Sequence, residues 1–103
     1  MKDLSGKIAV VTGGGTGMGR ELVRQLIAQG CDVATCDIVP ENLEQTLDLG
    51  KSEAPQGVRL IGSLCDVAEE QEVSGFRDEV KEEFQADHIN LLFNNAGIGG
   101  GGS

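Results

Sequence analysis

Residues 7 to 20, Lys-Ile-Ala-Val-Val-Thr-Gly-Gly-Gly-Thr-Gly-Met-Gly-Arg, restrict the fold more than any other stretch of this 103-residue chain. Ile8, Ala9, Val10 and Val11 form a continuous apolar run without polar alternation, the pattern of a strand buried on both faces of a parallel sheet. Beyond the glycines, Met18, Leu22, Val23, Leu26 and Ile27 fall on one side of a helix, and Gly30 stands where helices commonly end in a left-handed residue. A tight, glycine-lined turn therefore joins a central strand to a helix. Free backbone N–H groups at a helix start, reinforced by the helix dipole, attract a phosphate, and glycines let the backbone approach it.

The strict G-x-G-x-x-G spacing fails here, because Met18 stands where Gly13 and Gly15 would need a third glycine. The spacing present is Thr12-Gly13-x-x-x-Gly17-x-Gly19, which resembles the nucleotide loop of the short-chain dehydrogenase/reductase family. Three further features fall where that family has them. They are Asp37 at the end of the second apolar run, Asp66-Val67 after the third, and Asn94-Asn95-Ala96-Gly97 after the fourth. The resemblance runs along essentially the whole chain and covers the first half of the family's pattern.

The resemblance implies that residues 1–103 form an NAD-binding half-domain of the Rossmann type, a cofactor-binding amino-terminal portion of a larger oxidoreductase. The implied cofactor-binding residues are Gly13, Thr16, Gly17, Met18, Gly19, Asp37, Ile38, Asp66, Val67, Asn94, Ala96 and Gly97. The three motif glycines would admit the pyrophosphate, with Thr12 and Thr16 as hydroxyl partners. Asp66 and Val67 would border the adenine. The Asn94-to-Gly97 segment, Asn95 included, would pack the fourth strand against the loop and approach the nicotinamide-side ribose. Asp37 lies 18 residues after Gly19, near the roughly 20 expected of the acid that takes the ribose hydroxyls of NAD. Its carboxylate would repel the 2′-phosphate of NADP, and neither Thr16 nor Ile38 supplies a basic residue to offset that. NAD is therefore expected over NADP.

The family carries out hydride transfer with a Tyr-x-x-x-Lys pair, a Ser and a further Asn, yet this sequence contains no Tyr. No catalytic residue is assigned, and the 103 residues alone are expected to be inactive. An alcohol or ketone substrate is expected only of a full-length parent. Residues 98–103 are glycine-rich, and both the start of the family's next loop and an appended flexible linker fit them.

Taken in order, the chain reads as an alternation of strands and helices. Strands are expected at Lys7 to Thr12, Asp32 to Asp37, Val58 to Leu64 and Ile89 to Phe93. Helices are expected at Gly17 to Gln29, Glu41 to about Leu49 (stopped by Gly50), and Glu69 to Phe84. The third helix carries two weaknesses, Ala68 at the expected N-cap and Gly75 in its interior, each worth about 1 kcal/mol, unless Asp66 acts as the cap. Such alternation implies parallel pairing with right-handed crossovers. By analogy with nucleotide folds it implies a partial doubly wound α/β sheet of order 3-2-1-4, with the first two helices on one face and the third on the other. Strand 4 would then be an exposed edge, and self-association through it is expected.

Composition narrows the function further. A net charge of −9 argues against non-specific attraction to nucleic acid or an anionic membrane. No run of 18 apolar residues and no signal-peptide core occurs, so a soluble, cytoplasmic protein is expected. The acidic cluster between Glu69 and Glu83 has no interleaved His or Cys and reads as a solvated helix face, so no metal site is assigned. His88 is given no role. Cys31, Cys36 and Cys65 make no C-x-x-C pair and fit buried thiols in a reducing compartment. Cys36 and Cys65, each just before a motif aspartate, fall within reach of one another on neighbouring strands.

Other readings remain open on sequence grounds. One is a short, non-catalytic protein that binds a nucleotide or a partner subunit. A class I methyltransferase would have an acid leading into the glycines, where Thr12 stands, and a P-loop phosphotransferase would have Lys-Ser or Lys-Thr after them.

Overall fold

In the computed structural model, which describes residues 4–95, the apolar run at the start becomes β1 (Ile8–Thr12), and all five of its residues are buried. It is flanked on both edges: β2 (Asp32–Asp37) pairs with it on one side and β4 (Leu91–Asn94) on the other. The third strand, β3 (Leu60–Leu64), lies beyond β2, and every pairing is parallel, giving the order β3-β2-β1-β4. The expected topology is the observed one.

Three helices complete the chain: α1 (Gly17–Ala28), α2 (Pro40–Glu53) and α3 (Glu70–Glu83). Side-chain alternation along the strands sorts the core into two layers. Ala9, Val11 and Val33 turn to one face, where Val23, Leu26 and Ile27 of α1 and Leu47 of α2 cover them. Ile8, Val10, Ala34 and Cys36 turn to the other, under Phe76 and Val80 of α3 and the adjoining Phe84.

Several boundaries depart from expectation for identifiable reasons. Helix α2 does not stop at Gly50 but runs on to Glu53. Gly50 is buried, and a Cβ there would run into Leu60 Cδ2, so the glycine lets α2 lie directly on β3. The helix ends instead before Pro55, where Ala54 takes the extended conformation (ψ 133°) required of a residue preceding proline. Met18 does not join the apolar face of α1. It sits in the first turn, 77% exposed, because helical side chains lean toward the N-terminus and this one leans past the end of the sheet.

At the start of α3, Glu69 rather than Ala68 is the N-cap, and it makes no side-chain cap bond. The turn before it is braced by Asp66. Its Oδ1 accepts from Ala68 N–H at 2.9 Å, its carbonyl accepts from Glu69 N–H at 2.9 Å, and its own N–H donates to Glu72 Oε1 at 2.8 Å. The last strand begins at Leu91 instead of Ile89. Just before it, Asn90 exchanges bonds with the start of β1: Ile8 N–H donates to Asn90 Oδ1 at 2.8 Å, and Asn90 N–H donates to the Ile8 carbonyl at 2.9 Å.

Candidate functional site

The sheet order reverses at β1, with β2 and β3 on one side of it and β4 on the other, and such a switch point is where a crevice forms at the strands' carboxyl ends. A cleft of about 470 Å³ opens there. It is lined by Gly13, Thr16, Gly17, Met18, Asp37, Ile38, Cys65, Asp66, Val67 and Asn95. Eight of these are among the cofactor-binding residues expected from the sequence, and the ten come from four separate segments. Gly19 lies beneath the loop, buried, and Asn94 lines a neighbouring groove with Thr12 and Val67. Ala96 and Gly97 lie outside the described residues.

The glycine loop is held in place from several directions. Gly13 and Gly14 both donate their N–H groups to the Cys36 carbonyl, at 2.8 and 3.1 Å. Gly15 N–H donates to Asp37 Oδ2 at 2.8 Å, and Asn95 Nδ2 donates to the Gly13 carbonyl at 3.3 Å. Positive φ angles at Gly13 (71°) and Gly17 (57°) turn the chain into α1. Gly14 and Gly19 are required for space: a Cβ on Gly14 would meet Thr35 Oγ1, and one on Gly19 the Gly13 carbonyl.

What faces outward is chemically sorted. At one end, α1 begins with Gly17, Met18 and Gly19, whose N–H groups have no partner within the helix, and the Thr16 side chain does not cap them. That end suits an anion. At the other end Asp37 offers a carboxylate whose Oδ1 also accepts from Val39 N–H at 3.0 Å, which fixes its orientation. Asp66 stands nearby with Val67 and the 63% exposed Ile38, which offer apolar surface to a flat ring. Among the described residues, no Lys, Arg or His lines the cleft.

Burial pushes Cys36 up to about 12, helped by its neighbours Cys65 and Asp37. Burial also raises Cys65, with Glu72 and Asp66 adding to it. Both therefore stay protonated at neutral pH. Thr12 is not turned to the cleft as a hydroxyl partner, because its Oγ1 donates to the Phe93 carbonyl at 3.3 Å and ties β1 to β4.

Sequence reasoning missed two residues that support the loop. Arg20, just after the last motif glycine, reaches back to the Gly15 carbonyl and to α2. Thr46 of α2 is fully buried and donates to the Gly14 carbonyl at 2.7 Å. For Thr46 the one available signal was a polar residue on the helix face that carries Leu43 and Leu47.

Comparison with known proteins agrees with this geometry. A family model described as short chain dehydrogenase matches residues 7–103. The 2,5-dichloro-2,5-cyclohexadiene-1,4-diol dehydrogenase of Sphingobium indicum is 38% identical over 98 residues, which are 95% of this chain and 36% of that protein. Among solved structures, an NAD+-bound xylitol dehydrogenase superposes with a TM-score of 0.82 at 33% identity, over 91% of this chain and 34% of that one. An actinorhodin polyketide ketoreductase with NADPH superposes at 0.78 and 31% identity, over 91% and 34%. The chain thus spans about a third of the length of the relatives it matches. With the family model covering nearly all of its residues and the switch-point cleft in place, this chain belongs to the short chain dehydrogenase family.

Proposed function

We propose that the chain is the amino-terminal cofactor half of an NAD-dependent oxidoreductase and binds NAD in the switch-point cleft. The pyrophosphate would lie against Gly13, Thr16, Gly17, Met18 and Gly19, and the adenosine ribose would donate its hydroxyls to Asp37. The adenine would rest by Ile38, Asp66 and Val67, and the segment from Asn94 through Ala96 and Gly97 would lead toward the nicotinamide end.

One observation carries the preference for NAD over NADP. The Asp37 carboxylate is anchored by Gly15 and Val39 at the ribose end of a cleft that no cation lines among the described residues, so a 2′-phosphate would meet unbalanced negative charge. Calorimetric titration of the chain with NAD and NADP should show tighter NAD binding, and Asp37→Ala should narrow the gap at least about tenfold by removing the repulsion. Equal affinity of the unsubstituted chain for both cofactors would sink the preference.

When bound, the nicotinamide supplies the hydride chemistry. The chain's own residues bind and orient it, and with no Tyr in the sequence the proton donor for an alcohol or ketone must come from elsewhere. Reading the gene beyond the codon for Ser103 tests this, since an open frame reaching a Tyr-x-x-x-Lys pair is the expected result. By itself the chain should also self-associate through β4, whose Leu92 is 44% exposed. A sharp monomer peak in size-exclusion chromatography at high concentration would contradict that.

A further inference from the structure

We propose that Arg20 is a positioning residue of the cofactor loop, which aims the Thr16 N–H into the cleft by holding the Gly15 carbonyl from behind. The inference deepens the nucleotide reading above and rests on it for its ligand.

Arg20 is half-buried on the first turn and a half of α1, with its guanidinium directed away from the cleft. Its Nη2 donates to the Gly15 carbonyl, to the Asn42 carbonyl at 3.2 Å and to Gln45 Oε1 at 3.1 Å. Its Nε donates to Thr46 Oγ1 at 2.9 Å, and the Thr46 hydroxyl turns in its place to the Gly14 carbonyl at 2.7 Å, with the Gly15 carbonyl at 3.1 Å. Arg20 and Thr46 together therefore hold two successive loop carbonyls against α2.

A planar trans peptide sends its C=O and its N–H in opposite directions. The peptide joining Gly14 to Gly15 is gripped at both ends, its carbonyl by Thr46 and its N–H by Asp37. In the next peptide the Gly15 carbonyl is held toward Arg20 and Thr46, so the Thr16 N–H is turned the other way, toward the cleft that Thr16 lines. That adds a donor to those at the start of α1. Glycines at 13, 14 and 15 would otherwise leave these peptides free to rotate. A guanidinium suits the task because its planar fork serves several acceptors in fixed directions.

A merely structural role would be shared by Arg24, one turn further along α1, which also bridges to α2 by donating to Glu53 at 2.6 and 2.9 Å but does not touch the loop. The test compares Arg20→Met, Arg20→Lys and Arg24→Met in the 103-residue chain, titrated with NAD and with adenosine, which has no phosphate. Arg20→Met should weaken NAD roughly tenfold, the loss of a charge-assisted bond, and leave adenosine within about twofold. Arg20→Lys should recover part of the loss, and Arg24→Met should move neither ligand.

Equal weakening of NAD and adenosine by Arg20→Met, or a matching loss in Arg24→Met, would overturn the proposal. Should the unsubstituted chain bind neither ligand, the nucleotide reading falls, and amide resonances of the free chain decide the loop's geometry instead. Gly15 and Thr16 must then shift or broaden in Arg20→Met and stay put in Arg24→Met. Unmoved resonances in Arg20→Met would refute the positioning role.

Discussion

The glycine loop and β4 flank the same strand, β1, and they are built to opposite standards. Peptides 13 to 15 are tied by Cys36, Asp37, Asn95, Thr46 and Arg20, and the helices behind them bury Val23 and Ile27 completely. Across β1, the residues of β4 alternate between half-buried and exposed, and Leu92 stands opposite fully buried Val10 with 44% of its surface in solvent. The difference teaches where this stretch of chain completes its own packing. The residues that brace the glycine loop all lie within the described part of the chain, whereas the outer side of β4 is thinly covered.

The widest separation between the two regions should appear on truncating one apolar side chain in each. Ile27→Ala leaves a cavity in a closed layer and should cost about 3 to 4 kcal/mol, whereas Leu92→Ala removes a half-exposed side chain and should cost under about 1 kcal/mol. Urea denaturation followed by circular dichroism reads both, and similar losses would erase the contrast.

An effect that is smaller over any one pH unit separates the regions by pH. Cys36 is pushed up to about 12 from an ordinary 9.0, so from about pH 9 upward the unfolded chain releases a proton that the folded chain keeps. Fewer bound protons in the unfolded state means that stability falls as pH rises, by at most about 1.4 kcal/mol per pH unit for one group. The stability is whole below pH 9 and is lost toward pH 12. Replacing Cys36 with Ala should flatten that part of the urea midpoint against pH, and an unchanged slope would assign the alkaline loss to other groups.

The smallest expected effect is a gain on the less finished side. Gly75 lies in the interior of α3 at an exposed position, with nothing within 4 Å of where a Cβ would stand. Gly75→Ala should stabilise the chain by about 0.5 to 1 kcal/mol. A shift of the thermal midpoint in the wrong direction would show that the glycine has a use in this helix.

Gly50, an equally interior glycine, was expected to end its helix and instead lets α2 meet β3. The two glycines look alike in sequence, since each stands within a helical stretch, and differ only in what lies opposite. Legibility followed that division throughout. The strands and most helix positions could be read from the sequence because their signals are local, an apolar run, a helical period, a glycine spacing, whereas the strand order and the grouping of Asp66 and Val67 with Gly13, Gly17 and Asp37 came from the likeness to nucleotide folds and to the family. These patterns, together with the right-handed crossover, leave few arrangements open.

Partners far apart in sequence were settled by tertiary structure alone. Arg20 reads as an ordinary helix cation until α2, 22 to 26 residues later, supplies Asn42, Gln45 and Thr46 as acceptors. Thr12 read as a possible ligand until β4, 81 residues away, took its hydroxyl. Periodicity fixes which face a residue is on. Which acceptor lies opposite depends on how two separately encoded elements are packed, and no pattern within either one contains that distance.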